Sequence, residues 1–139
     1  MRKLIYVMAG LLVALGSLPL QADEVEPPKV HKQGGSTYVT GGGDEDSRAA
    51  LRELAPRYPI QLIFLSGGET SGVSGVKVTL FDVRGDTILE AISEGPYLYI
   101  NPPSSGRYTV EAEYNGEKQR STKDLIGRRY LVFEYKFAQ

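Results

Sequence analysis

Residues 107–123, RYTVEAEYNGEKQRSTK, decide the fold of this chain. From Arg107 to Tyr114 the residues alternate strictly: Tyr108, Val110, Ala112 and Tyr114 share one face, and Thr109, Glu111 and Glu113 share the other. Period two with one apolar face is the pattern of a half-buried strand. Asn115-Gly116 follows at once, and both central positions of a type I′ turn need positive φ, which Asn and Gly adopt at least cost. Glu117 to Lys123 is then the returning strand, and its polarity predicts an edge position.

The same period runs outward in both directions. Towards the C-terminus, Leu131, Phe133, Tyr135 and Phe137 alternate with Val132, Glu134 and Lys136, so a one-residue slip would bury two charges and the register is well specified. Upstream, Tyr97–Ile100, Thr87–Ser93 and the run Val76, Val78, Leu80 are further strands, separated by Asn101-Pro102-Pro103, Gly95-Pro96 and Arg84-Gly85-Asp86. Ile60–Leu65 is a short, largely apolar strand. Seven short strands with turns every eight to twelve residues predict a mostly β chain, a seven-stranded antiparallel sandwich over residues 59–137.

Residues 44–58 predict one short helix ahead of the sandwich. Asp44 is its N-cap, Glu45 and Asp46 place negative charge in the first turn, Ala50, Leu51 and Leu54 start an apolar stripe, and Pro56 ends it. Residues 23–43 read as a flexible linker, rich in Gly and Pro with few apolar residues; Tyr38 and Val39 are the exception, suited to a short strand. Internal repeats are not evident.

Residues 1–22 have the parts of a cleavable secretory signal peptide: Arg2 and Lys3, an apolar run from Leu4 to Leu15, Pro19, and Ala22 before the cut. The apolar run is short of the roughly 20 residues that span a bilayer, so no stable membrane insertion is expected after cleavage. The expected location is periplasmic or secreted. Cleavage leaves 117 of the 139 residues, enough for one domain. The absence of cysteine rules out a disulfide scaffold and a lipidated cysteine. Without Arg2 and Lys3 the chain carries 14 basic and 17 acidic groups, a net charge of −3, which is not the footprint of a nucleic-acid binder.

Three stretches resemble a known family: Gly75-Val-Lys-Val-Thr-Leu-Phe-Asp-Val-Arg-Gly85, Gly95-Pro-Tyr-Leu-Tyr-Ile-Asn-Pro-Pro103 and Gly106-Arg-Tyr-Thr-Val-Glu-Ala112. They are similar to the strand-and-turn motifs of the carboxypeptidase regulatory-like domain, a transthyretin-like (prealbumin) sandwich. The N-terminal part, from Tyr38 to Phe64, resembles small exported proteobacterial proteins that carry this domain alone. The resemblance implies an accessory or binding module and not an enzyme. One departure is visible: Ser104-Ser105 separates Pro103 from Gly106, where the family runs Pro-Pro-Gly directly.

No catalytic, metal or cofactor constellation stands out. Asp44-Glu45-Asp46 lacks the alternate carboxylates and terminal Glu of a calcium loop, and a helix N-terminus explains it. His31, the one histidine, falls in the expected linker, which could not hold a catalytic group in place. The enzyme of transthyretin fold that hydrolyses 5-hydroxyisourate has several histidines and a Tyr-Arg-Gly-Ser C-terminus that find no match here. Isopeptide formation would need a buried Lys77, which alternation places outward, and an Asn that the last strand lacks.

Two groups remain as a candidate binding surface. Tyr97 and Tyr99 are read first as packing residues and second as rigid anchors on an exposed strand. Lys118, Arg120, Lys123, Arg128 and Arg129 form a basic region near the last hairpin, explained by edge protection or by an acidic partner. The expected function is a non-enzymatic binding or scaffolding module of the bacterial cell envelope, its partner an envelope protein or cell-wall polymer. The alternative is a small transthyretin-type hydrolase or ligand-binding protein. A homo-oligomer formed through edge strands is a third expectation.

Overall fold

The computed structural model describes residues 27–67 and 71–138. The expected signal peptide, residues 1–22, lies outside them. Two sheets pack face to face, and one helix lies on the far side of the first. Sheet A is mixed and has the order β1-β2-β7-β3-β10, with β4 pairing the end of β3; sheet B is antiparallel and has the order β6-β5-β8-β9. The strands are β1 His31–Gln33, β2 Ser36–Gly41, β3 Ile60–Ser66, β4 Ser71–Gly72, β5 Lys77–Phe81, β6 Thr87–Ile92, β7 Tyr97–Asn101, β8 Arg107–Tyr114, β9 Glu117–Asp124 and β10 Leu131–Phe137. The helix α1 spans Glu45–Leu54, and a 3-10 turn, Ala55–Arg57, accommodates Pro56.

The alternating faces form the core as the pattern requires. Ile60, Leu62 and Phe64 from β3, Leu98 and Ile100 from β7, and Leu131, Phe133, Tyr135 and Phe137 from β10 meet Val78, Leu80, Leu89, Tyr108, Val110 and Ala112 from sheet B. Asn115 and Gly116 both take positive φ, 50° and 81°, and return the chain into β9, which is the edge of sheet B. The Ser104-Ser105 corner is held by the Tyr108 hydroxyl, which donates to the Ser104 carbonyl.

Two expectations are corrected. The sandwich is neither seven-stranded nor wholly antiparallel: β10 runs parallel to β3, with Leu131 opposite Ile60 and Phe137 opposite Ser66. Alternation fixes which face of β10 is buried, and that face is the same whichever way its neighbour runs. The linker expectation also fails over residues 31–41. Gly34 and Gly35, at φ 55° and 77°, turn a β1–β2 hairpin, and β2 pairs with β7 from Thr37–Asn101 to Gly41–Tyr97. Long-range pairing orders a segment too polar to order itself.

The helix explains why sheet A has two covered faces. Val39, on the outer face of β2, packs with Leu51 of α1 and with Tyr58 in a second small core, bordered by Leu54, Tyr97 and Tyr99. The Asp44 carboxylate accepts from the Ser47 N–H at 2.7 Å, the N-cap the sequence predicts. Glu45 meets Arg48 at 2.7 Å, and this hydrogen bond holds the Glu45 carboxyl below its usual range. Helix chemistry therefore uses the Asp44-Glu45-Asp46 cluster.

Candidate functional site: an open groove between the sheet edges

Each side of the sandwich brings an edge of sheet A near an edge of sheet B, and the two sides end differently. On one side β9 faces β10. The inward positions of β9 are Glu117, Gln119, Ser121 and Lys123, and three of them reach the backbone of β10 or just beyond. Lys123 Nζ donates to the Val132 carbonyl at 2.6 Å, Gln119 Nε2 to the Lys136 carbonyl at 2.6 Å, and Glu117 accepts from the Ala138 N–H at 2.9 Å. Lys123 also lies 5.0 Å from the centre of the Phe133 ring. This side is closed.

On the other side β1 and β2 face β6. Here the inward positions of β2 are Ser36, Tyr38 and Thr40, in place of the apolar residues that β3 and β7 supply. The apolar core therefore ends at β7, and a groove of about 560 Å³ opens beyond it. His31, Tyr38 and Thr40 form the wall from sheet A. Lys77, Glu90, Ala91, Ile92 and Glu94 form the wall from sheet B. His31 is not on a linker, as the sequence reading expected; it stacks on Tyr38 with the ring centres 4.7 Å apart. The Ser36 hydroxyl is buried deeper along the same row and has no hydrogen-bond partner among the described residues.

Two bridges cross the groove. The Gln33 side-chain amide pairs with the edge of β6 as a peptide group would: its Nε2 donates to the Glu90 carbonyl at 2.9 Å, and its Oε1 accepts from the Glu90 N–H at 2.7 Å. At the other end the Glu94 N–H donates to Thr40 Oγ1 at 3.0 Å, and that hydroxyl donates in turn to the Tyr97 carbonyl at 2.8 Å. Ser93, by contrast, turns towards β5, exchanging backbone bonds with Gly75 and Val76. Alternation therefore aims the Ile92 N–H and C=O at the groove, between the two bridges. Ile92 is also one of the exposed large apolar side chains of the described chain, at 64%.

The expected binding residues do not converge. Tyr97 and Tyr99 lie on the outer face of sheet A, half-covered by α1, with Arg48, Arg52 and Leu51 around a small cleft of about 100 Å³. Burial raises the Tyr99 phenol above its ordinary pKa, the neighbouring Tyr97 adds to this, and Arg52 opposes it. Both pack against the Val39, Leu51 and Tyr58 cluster and remain half-exposed beside that cleft.

Lys118 and Arg120 lie on the opposite outer surface, that of sheet B. Each faces a carboxylate: Lys118 is in register with Glu113, and Arg120 approaches Glu111 at 3.8 Å while lying 4.8 Å from the centre of the Phe81 ring. Lys123 is spent on β10. Arg128 and Arg129 are exposed in the loop before β10, and Arg128 borders a separate cleft of about 340 Å³ with Ser104 and Ser105. The basic region thus divides between a charge-balanced sheet face, a closed edge and a loop.

The groove residues escaped the sequence reading because Gln33 and Glu90 are 57 positions apart and neither belongs to a recognisable motif. A usable signal was present in Gly34-Gly35, two residues between two short polar runs, which is a hairpin turn signature. Among the described residues no group of three or more metal-ligating side chains forms, and no helix is long and apolar enough to cross a membrane. No family model matches the chain, and no curated protein matches it.

Proposed function

We propose that this chain is an exported, non-enzymatic binding or scaffolding module of the bacterial cell envelope, of carboxypeptidase regulatory-like, transthyretin-type architecture. The observation that carries the reading is the open groove beside β6, where backbone hydrogen-bonding groups and an exposed apolar side chain face solvent between two side-chain bridges. A rigid two-sheet frame with one unfinished edge suits recognition, because partner groups meet donors and acceptors already in place. The signal-peptide pattern of residues 1–22 supports the envelope location, and the strand-and-turn motifs support the family.

The alternative, a small transthyretin-type hydrolase or ligand-binding protein, draws on the same groove, since His31, Lys77, Glu90 and Glu94 border it. Nucleophilic or acid–base chemistry needs such groups in mutual hydrogen-bond reach. Among the described residues no side-chain hydrogen bond or ion pair joins any two of them, which favours the binding module.

The test is an affinity pull-down of the mature protein from envelope extract, followed by rebinding of the purified component. Saturable recovery above a control protein with a scrambled surface is the expected result. Recovery of nothing above that control overturns the proposal.

A further inference from the structure

We propose that the groove beside β6 is a strand-addition site for a short extended peptide with a basic residue two positions on either side of an apolar one, and that Gln33 occupies part of that site in the free protein. The inference rests on the binding-module reading and names its ligand class.

The Gln33 amide identifies the chemistry. A planar amide that donates to the Glu90 carbonyl and accepts from the Glu90 N–H reproduces the two bonds a neighbouring strand residue would make. The next edge position, Ile92, presents the same pair of groups unfilled. A peptide residue placed opposite Ile92 would exchange two hydrogen bonds with it. Its flanking residues would point inward over Ala91, towards Tyr38 and Thr40.

Register then sets the ligand's charges. Residues on the Ile92 face repeat every second position, so one second neighbour of the central ligand residue lies opposite Glu90 and the other comes beside Glu94, in the bend just past the end of β6. Both are exposed carboxylates, and basic side chains complement them. The central ligand residue meets exposed Ile92 and should be apolar. Length is limited as well. The edge runs extended only to Ile92, where β6 ends, and the chain bends at Glu94. Beyond Glu90 the hairpin blocks it: a Cβ on Gly34 would stand 2.4 Å from the Ile88 carbonyl oxygen. The ligand pairs opposite Ile92 and Glu90, where it must displace Gln33, and its far end reaches Glu94, whose N–H it must take from Thr40 Oγ1.

The probe is the acetylated, amidated pentapeptide Lys-Thr-Val-Thr-Lys, titrated into the isotopically labelled mature chain and followed by amide chemical shifts. Expected are saturable shifts at the Ile92 and Glu94 amides. N-methylation of the probe's valine removes one donor and should weaken binding by about tenfold. Exchanging both probe lysines for glutamate should weaken it further. In the protein, Ile92→Pro removes the edge N–H without touching the β5 ladder and should abolish binding, while Gln33→Ala frees Glu90 and should tighten binding about fivefold.

Equal binding of the plain and N-methylated peptides, shifts mapping elsewhere, or no saturable shift would overturn the proposal. So would binding of cell-wall glycan fragments at Ile92 when the peptide does not bind. The mapping uses the unaltered protein, so it decides the matter even if Ile92→Pro fails to fold. If the strand-addition site fails while the pull-down still recovers a component equally with wild type and Ile92→Pro, the module reading stands and only the site is wrong.

Discussion

The two sides of the sandwich face the same problem and solve it to different degrees. Where β9 meets β10, the inward positions of the edge strand are long: Glu117, Gln119 and Lys123 cross the gap and bind backbone groups at Val132, Lys136 and Ala138. Where β2 meets β6, the corresponding positions are Ser36, Tyr38 and Thr40, and only Thr40 makes a bond across, supported by Gln33 from β1. Side-chain length at a few edge positions therefore separates a sealed edge from a receptive one. Long polar side chains can bury their stems over the apolar rim while their ends satisfy an edge. Short ones leave a groove.

The largest expected effect comes from driving the two sides further apart by loosening the hairpin on the open one. Gly34 holds φ 55°, and its Cα lies so close to β6 that any Cβ would overlap the Ile88 carbonyl. In Gly34→Ala the backbone must shift, because the obstructing atom is itself backbone. Combined with the left-handed conformation, this should cost about 2–3 kcal/mol. Urea denaturation measures the loss, and amide exchange should accelerate first at Glu90, whose N–H loses Gln33. Unchanged stability would show that the β1–β2 hairpin does not rest on β6.

Next in size is opening the sealed side. Removing both Gln119 and Lys123 as Gln119→Ala/Lys123→Ala deletes two hydrogen bonds to β10 and the contact over Phe133, at a cost of about 2 kcal/mol. It also exposes two carbonyls on the edge of sheet A, so light scattering should detect more association than in the wild type. A stable variant that associates no more than the wild type would mean that these side chains do not seal the edge.

How these sides would look was partly legible beforehand. The β8–β9 hairpin and the inward set on β10 follow from period two and Asn115-Gly116, because burying one face excludes the slipped register. The polar edge strand β9 was legible too, though Lys123 closes the edge by binding β10 while Lys118 and Arg120 face carboxylates on the outer surface. What was not legible is partnership. The direction of β3 relative to β10 leaves no trace in either strand's alternation. The β1–β2 hairpin has only Tyr38 and Val39 as apolar residues, so its order comes from pairing with β7 and from α1 packing on Val39. Tyr97 and Tyr99 showed that a second face exists, but not that α1 covers it. The groove is a difference between two edges, and neither edge alone encodes it.

A smaller effect bears on the interior that both sides enclose. Tyr135 sits in an aromatic row between Phe133 and Phe137, and burial pushes its phenol well above the ordinary tyrosine range, with a hydrogen bond from Ser121 in opposition. The folded pKa is raised, so the folded state holds its proton longer than the unfolded one. Stability is thus intact below the unfolded value of about 10 and falls as pH rises through it. Tyr135→Phe should flatten that alkaline loss, with a neutral-pH cost under about 1 kcal/mol, since the hydroxyl donates only a long 3.4 Å bond, to the Val110 carbonyl. Thermal melts from pH 8 to 11 check both; an unaltered alkaline slope in the variant would assign the loss to other groups.

The smallest expected effect on stability is the most informative about the open side. Gln33→Ala removes two hydrogen bonds at once, yet both lie at an exposed edge where water can replace the lost amide. The net cost should be about 0.5 kcal/mol, below that of the Gln119→Ala/Lys123→Ala pair, whose bonds also hold Lys123 over an apolar rim. Amide exchange at Glu90 should nevertheless quicken markedly while exchange at Ala91, bonded into the β5 ladder, stays protected. That divergence between a nearly unchanged melting temperature and a locally exposed edge is what a receptive side requires. If Gln33→Ala instead destabilised the whole chain as strongly as Gly34→Ala, Gln33 would be a structural clamp, and the two sides would differ in sequence but not in kind.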